Sequence, residues 1–206
     1  LTTATGVDRL ASVLAWFRQS AEGCQKIQED LARYREIIWR THAQVVVESG
    51  TGAGTSALWF ANQGCRVVTV DLELWSDDST RQAWGDRVTQ VVGDSIAQET
   101  LEAIRRVVGY AEPVMVSLDS DHSAAHVRAE MEAYGALVTP GSYMVAEDSI
   151  LSWLPTSSPP RYGLTGTPME AVEDFLATQK AWEVDLDVEG MFPATQNPGA
   201  WLRRLR

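Results

Sequence analysis

Apolar residues recur along this chain in two alternating rhythms. Positions 6–19 carry Val7, Leu10, Val13, Leu14 and Phe17 at the spacing of an amphipathic helix. Positions 27–39 repeat that pattern with Leu31, Tyr34, Ile37 and Ile38. The rhythm then changes to short β-branched runs at 44–48, 66–71, 88–92, 113–119 and 142–148, each the length of one strand. Between them lie stretches of helical period at 54–62, 96–108 and 123–138. A helix at 169–180, a strand at 182–187 and a last strand at 200–205 extend the alternation to the end. Strands interleaved with helices predict an α/β fold: one domain over 1–206, a mostly parallel central sheet with helices on both faces, and an N-terminal helical segment within 1–40.

One tract breaks the alternation. Positions 152–168 hold Pro155, Pro159, Pro160 and Pro168 among glycines, serines and threonines, and read as a long loop. Long loops inside a compact domain commonly serve a site, so this one is expected to act as a lid rather than a domain boundary. The two N-terminal helices are expected to pack over the site or between subunits, which leaves a homo-oligomer open.

Composition narrows the classes. A chain of 206 residues with 45% hydrophobic content can fill one full core. The formal net charge of −11 argues against a nucleic-acid partner, because phosphate binding needs a basic face. Arg203, Arg204 and Arg206 are a local exception, read as a solvated terminal segment. No apolar run is long enough to cross a bilayer. Cys24 and Cys65 make no disulfide framework, and a cytoplasmic location is expected. The chain starts at Leu1, so a preceding targeting segment is left open.

The candidate chemistry lies where the strands finish, since open α/β sheets bind ligands beyond the carboxyl ends of their strands. Those positions are Glu48, Asp71, Asp94, Asp119, Glu147 and Asp148, an acid after each of the first five strands. Such a gathering of carboxylates calls for something to neutralise it. The first strand runs into Gly50, Gly52 and Gly54, where glycine lets a ligand approach the backbone closely. Asp71 ends the second strand, placed to accept from two ribose hydroxyls. A nicotinamide dinucleotide would use the same elements but calls for G-x-G-x-x-G. The spacing by two, with Glu48 ahead of it, fits S-adenosylmethionine better.

At this point a resemblance enters. The stretch Glu48-Ser49-Gly50-Thr51-Gly52-Ala53-Gly54-Thr55-Ser56-Ala57-Leu58 resembles the cofactor loop of catechol O-methyltransferase and its relatives. More closely, the chain from about Gly23 onward is similar to the cephalosporin hydroxylase and rhamnosyl O-methyltransferase family. The shared pieces are Glu29-Asp30-Leu31 through Trp39, that loop, Gly93-Asp94-Ser95, Leu118 to Ser123 with His126-Val127, Val145 to Asp148, and Asn197-Pro198-Gly199. The sequence departs at His42-Ala43, where the family reads Pro-Asp, and at Thr167-Pro168, where it reads Gly-Pro.

The resemblance implies a class I, Rossmann-like methyltransferase with Glu48, Gly50, Gly52, Ser56, Asp71, Asp94, Ser95 and Asp119 at the cofactor, Ser95 on the adenine side. It also implies a divalent metal on Asp119, Glu147 and Asp148. Hard oxygen donors without a Cys or His cluster suit magnesium better than zinc, and Asp121 competes with Asp119 for ligation. Methyl transfer to a hydroxyl needs a base, and His122, three residues after Asp119, matches the lysine base of the catechol enzymes. His126 is expected to be structural or a rim contact. Trp75 and Trp84 could line the adenine, and Trp153 could cover the substrate. The expected activity is thus magnesium-assisted O-methylation of a small molecule, with a sugar or sugar-nucleotide hydroxyl implied by the family. A hydroxylase on the same fold and a non-catalytic S-adenosylmethionine-binding partner subunit are the alternatives.

Overall fold

The computed structural model describes residues 6–18, 25–110, 113–158, 161 and 163–206. Seven strands form one sheet in the order β3-β2-β1-β4-β5-β7-β6. They are β1 (Val45–Ser49), β2 (Arg66–Asp71), β3 (Val88–Val92), β4 (Val114–Leu118), β5 (Tyr143–Ala146), β6 (Trp182–Val184) and β7 (Trp201–Arg204). The first five run parallel, with Val46 opposite both Val67 and Met115, whereas β7 runs antiparallel to β5 and β6. The predicted doubly covered, mostly parallel sheet is therefore the observed one.

Strands buried on both faces read as unbroken apolar runs, yet the period of two still sorts them. Val45, Val47, Val68, Val70, Val114, Val116, Met144 and Leu202 face one core, under α5 (Gln98–Val108), α6 (Ala124–Tyr134) and α7 (Pro168–Thr178). Val46, Val67, Met115, Tyr143, Val145 and Trp201 face the other, under α2 (Gln28–Thr41) and α3 (Thr55–Asn62). Along α2, Leu31, Tyr34 and Ile37 are all fully buried, as their helical spacing predicts.

Several expectations are corrected. On α1 (Arg9–Arg18) three of the five predicted apolar positions are turned out, Leu10, Leu14 and Phe17 being 64%, 53% and 68% exposed, whereas Val7 just ahead of it is buried. Val13 and Trp16 pack instead on Ile150, Leu151 and Leu154, while Ala11 and Ala15 meet Ile27 and Ala194. Gln19, at the end of the expected helix, lies outside the described residues, as do Gly23, Cys24, Pro159 and Pro160. Two short helices escaped the periodicity, α4 (Asp78–Trp84), capped by the Asp77 side chain on Thr80 N–H at 2.7 Å, and α8 (Leu186–Glu189). The C-terminal arginines are not a solvated tail: Arg203 pairs with Glu183 at 2.6 Å, and Arg204 donates to the carbonyls of Gly135, Ala136 and Val138.

Candidate functional site

At the carboxyl edge of the sheet, where the order reverses between β1 and β4, lies a cavity of about 500 Å³. The turn after β1 makes its floor. Gly50 has a φ of +82°, and a Cβ there would lie 1.8 Å from the Asp119 carbonyl oxygen, so only glycine fits where β1 and β4 finish side by side. Gly52 has a φ of +48° and donates its N–H to Asp71 Oδ2 at 2.9 Å. Trp84 supports the turn from below, its Nε1 donating to the Gly54 carbonyl at 3.0 Å. It is buried and does not line the cavity, and neither does the exposed Trp75, so neither faces a base there. Trp153 packs among Trp16, Ile150, Leu151 and Leu154.

Of the sequence-predicted residues, Gly50, Gly52, Ser56, Asp71, Asp94, Ser95, Asp119, His122 and Asp148 all line this one cavity. Glu48 and Glu147 do not; both are buried beneath it. Glu48 accepts from Thr69 at 3.0 Å through Oε2, while Oε1 has no partner. Burial pushes the Glu48 carboxyl up to about 7 against the pull of Lys26. No described residue of 152–168 lines the cavity; Arg161 donates to the Leu154 carbonyl at 3.0 Å, and Thr165 accepts from Ala124 N–H at 3.3 Å.

Asp119, His122 and Asp148 bring one ligand atom each to within 4.8 Å of one another. His122 Nε2 stands 3.3 Å from Asp148 Oδ2 and 3.8 Å from Asp119 Oδ1. Burial raises the carboxyls of Asp119 and Asp148, the latter to about 7, against the pull of Lys26 on the first and of His122 on the second. Glu147 belongs to a different arrangement. Its Oε1 accepts from Lys26 at 2.8 Å, from Ser117 at 3.1 Å and from Tyr34; its Oε2 accepts from Asn197 at 2.7 Å. Burial alone would push Glu147 up, but Lys26 and these bonds outweigh it and hold the carboxylate below its usual range. Asp121, the competitor of Asp119, accepts from Ser123 N–H at 2.7 Å and stands outside the metal-capable group.

Lys26 escaped the sequence reading. Its ammonium bridges Glu147 and Asp119, the latter at 3.0 Å, and these acids hold its pKa well above the usual value despite burial. The available signal was scarcity: the chain has two lysines, and this one precedes an apolar helix. The segment bearing it is locked by Arg33, which donates to the carbonyls of Val188, Glu189, Phe192 and Ala194 and pairs with Asp30 at 3.0 Å.

A parallel sheet with a glycine turn, a strand-end acid and a metal-capable acid pair at its switch point defines a class I nucleoside-cofactor enzyme. Comparison makes the assignment specific: the chain belongs to the rhamnosyl O-methyltransferase/CmcI family, whose family model matches residues 12–205. It is 36% identical over 160 residues to the rhamnosyl O-methyltransferase of Mycobacterium leprae, covering 74% of this chain and 67% of that protein. To the rhamnosyl O-methyltransferase of Mycobacterium bovis it is 32% identical over 201 residues, covering 93% and 80%. A solved structure of CmcI with magnesium and S-adenosylmethionine shares the fold at a TM-score of 0.65 and 23% identity, covering 89% of this chain and 74% of that one.

Proposed function

We propose that this protein transfers a methyl group from S-adenosylmethionine to a hydroxyl of a sugar-bearing small molecule, assisted by magnesium. The observation that carries the reading is convergence. The cofactor-type residues Gly50, Gly52 and Asp71 share one cavity with Asp119, His122 and Asp148. The rhamnosyl O-methyltransferases it resembles support a sugar acceptor.

Asp71 would accept from the ribose hydroxyls of the cofactor, its carboxylate held in place by the Gly52 N–H. Asp119 and Asp148 offer hard oxygens for the metal, with Glu147 fixed behind them by Lys26. A magnesium ion bound there would orient the acceptor and lower the pKa of its hydroxyl. His122, with its Nε2 3.3 Å from Asp148 and 3.8 Å from Asp119, takes the hydroxyl proton. As the oxygen forms its bond to the methyl carbon, the carbon–sulfur bond breaks and its electron pair returns to sulfur, leaving S-adenosylhomocysteine.

The alternatives lose ground on residues. A two-histidine iron site is not assembled, because His42 ends α2 and His126 is tied to Ser95 and Glu130. A silent subunit would not need the complete acid and base set. Among the described residues no helix is long and apolar enough to cross a membrane. A cytoplasmic location fits the buried free thiol of Cys65. The test is thermal unfolding with S-adenosylhomocysteine and then magnesium. At 100 times the dissociation constant the cofactor product should stabilise by about 2.7 kcal/mol, and the absence of any shift would refute the reading.

A further inference from the structure

Methyl transfer as derived above gives Lys26 no step, yet its placement is unusual for a lysine. The other lysine of the chain, Lys180, donates to the Leu176 and Ala177 carbonyls at the end of α7. Lys26 lines the cavity although its side chain is only 4% exposed. Among the described residues no arginine lines that cavity, so Lys26 brings to it the one permanent positive charge.

That charge is fixed from both ends. Gln196 ties the backbone on either side of it: Ile27 N–H donates to Gln196 Oε1 at 2.9 Å, and Gln196 Nε2 donates to the Gln25 carbonyl at 3.4 Å. At the other end, Glu147 is held by Tyr34, Ser117 and Asn197, all neutral donors, so its charge is met by Lys26. Asp119 gives Oδ2 to the same ammonium at 3.0 Å, and its Oδ1 lies toward His122, which in turn stands beside Asp148. A side chain anchored in this way has little freedom to retreat when another cation arrives.

Resting on the metal reading above, an ion taken up by Asp119 and Asp148 shares Asp119 with an ammonium. The acids attract that ion in proportion to its charge, and the ammonium repels it in the same proportion. Burial leaves this repulsion poorly screened by salt. Oxygen donors alone would favour the more highly charged ion, since their attraction grows with charge. We propose that Lys26 is a specificity-determining residue of the metal site: its fixed charge offsets one carboxylate, which matches the site to a divalent ion and holds off a trivalent one.

Calorimetric titration with magnesium alone and with terbium(III) alone, at fixed pH and ionic strength, reads this charge without any turnover. Lys26→Gln and Lys26→Met both remove the charge, one keeping a donor for Glu147 and the other not, so a folding failure of either leaves the other to be read. The folded neutral variant should bind magnesium at least about tenfold more tightly than the unaltered protein, and terbium at least about thirtyfold, because the relieved repulsion scales with the charge of the ion. Lys26→Arg keeps the charge and should leave both affinities within about threefold. Magnesium binding that is equal or weaker in a folded neutral variant would show that Lys26 only holds the acids in place, and would overturn the proposal. An equal gain for the two ions would overturn it as well. Failure of every form, the unaltered protein included, to bind either ion would instead remove the metal reading, and this inference with it.

Discussion

Asp148 has a φ of +60°, in the left-handed region that non-glycine residues rarely occupy without support. Asn197 supplies the support, accepting from Asp148 N–H at 2.8 Å and donating to Glu147 at 2.7 Å. Strain held in this way turns two consecutive acids to opposite duties, Glu147 inward to Lys26 and Asp148 toward His122. If His122 removes the hydroxyl proton, His122→Ala should lower kcat by roughly 10²–10⁴ while leaving S-adenosylhomocysteine affinity in place; a near-normal kcat in steady-state assays would remove it from that role. His126 gives a second, independent reading. Its hydrogen bond to Glu130 raises its pKa above the ordinary 6.5. Protonation therefore favours the folded state, a contribution fully present below the unfolded value and lost as pH rises through the raised one. NMR titration should place His126 above 6.5 in the unaltered protein and lower in Glu130→Gln; identical midpoints would contradict the contact. At this scale Asp71, Asp94, Asp119 and Asp148 were legible, because a strand end fixes where a side chain emerges, whereas Glu48 and Glu147, also at strand ends, turn beneath the cavity. Lys26, Tyr34 and Glu130 were not, since each reaches the site from a helix or a loop packed elsewhere.

Among the elements, α2 does more than cover the sheet. Its Asp30–Arg33 pair is almost wholly buried, and Arg33 satisfies four carbonyls of 188–194. Asp30 Oδ2 also accepts from Gln196 N–H at 2.7 Å, next to Asn197. The clasp thus runs from α2 through Asn197 to the Glu147–Asp148 turn. Arg33→Met would leave Asp30 buried without its partner, a change that costs about 3–5 kcal/mol. Urea unfolding should show the midpoint fall with an unchanged slope, and a loss below about 1 kcal/mol would mean that water replaces the guanidinium. The strands and the long helices could be read from period because each buries a continuous face. Helix α1 could not, because its docking side is made of Ala11, Ala15 and Trp16 and its bulkier stripe points outward. The seven-residue α4 buries only Trp84, too little apolar pattern to register.

For the whole molecule the governing quantity is negative charge. The chain carries a net charge of −11, and five of its acids, Asp71, Asp94, Asp119, Asp121 and Asp148, line one cavity. Lys26, at the cavity wall, pairs with Asp119 and with Glu147 beneath it and offsets part of their repulsion, but Asp148 is left with His122 as its nearest basic partner. Converging oxygens in this state favour a hard divalent cation over a soft one, since their repulsion is relieved by charge rather than by covalency. Chelation with EDTA should therefore abolish methyl transfer, and magnesium should restore it. Asp148→Asn should remain folded, because asparagine tolerates the left-handed backbone at this position, while losing calorimetric magnesium binding along with most of its turnover. Metal binding and turnover are separate readouts, so the two outcomes part cleanly. An enzyme fully active in chelator would leave Asp119 and Asp148 as structural acids and assign hydroxyl activation to His122 alone.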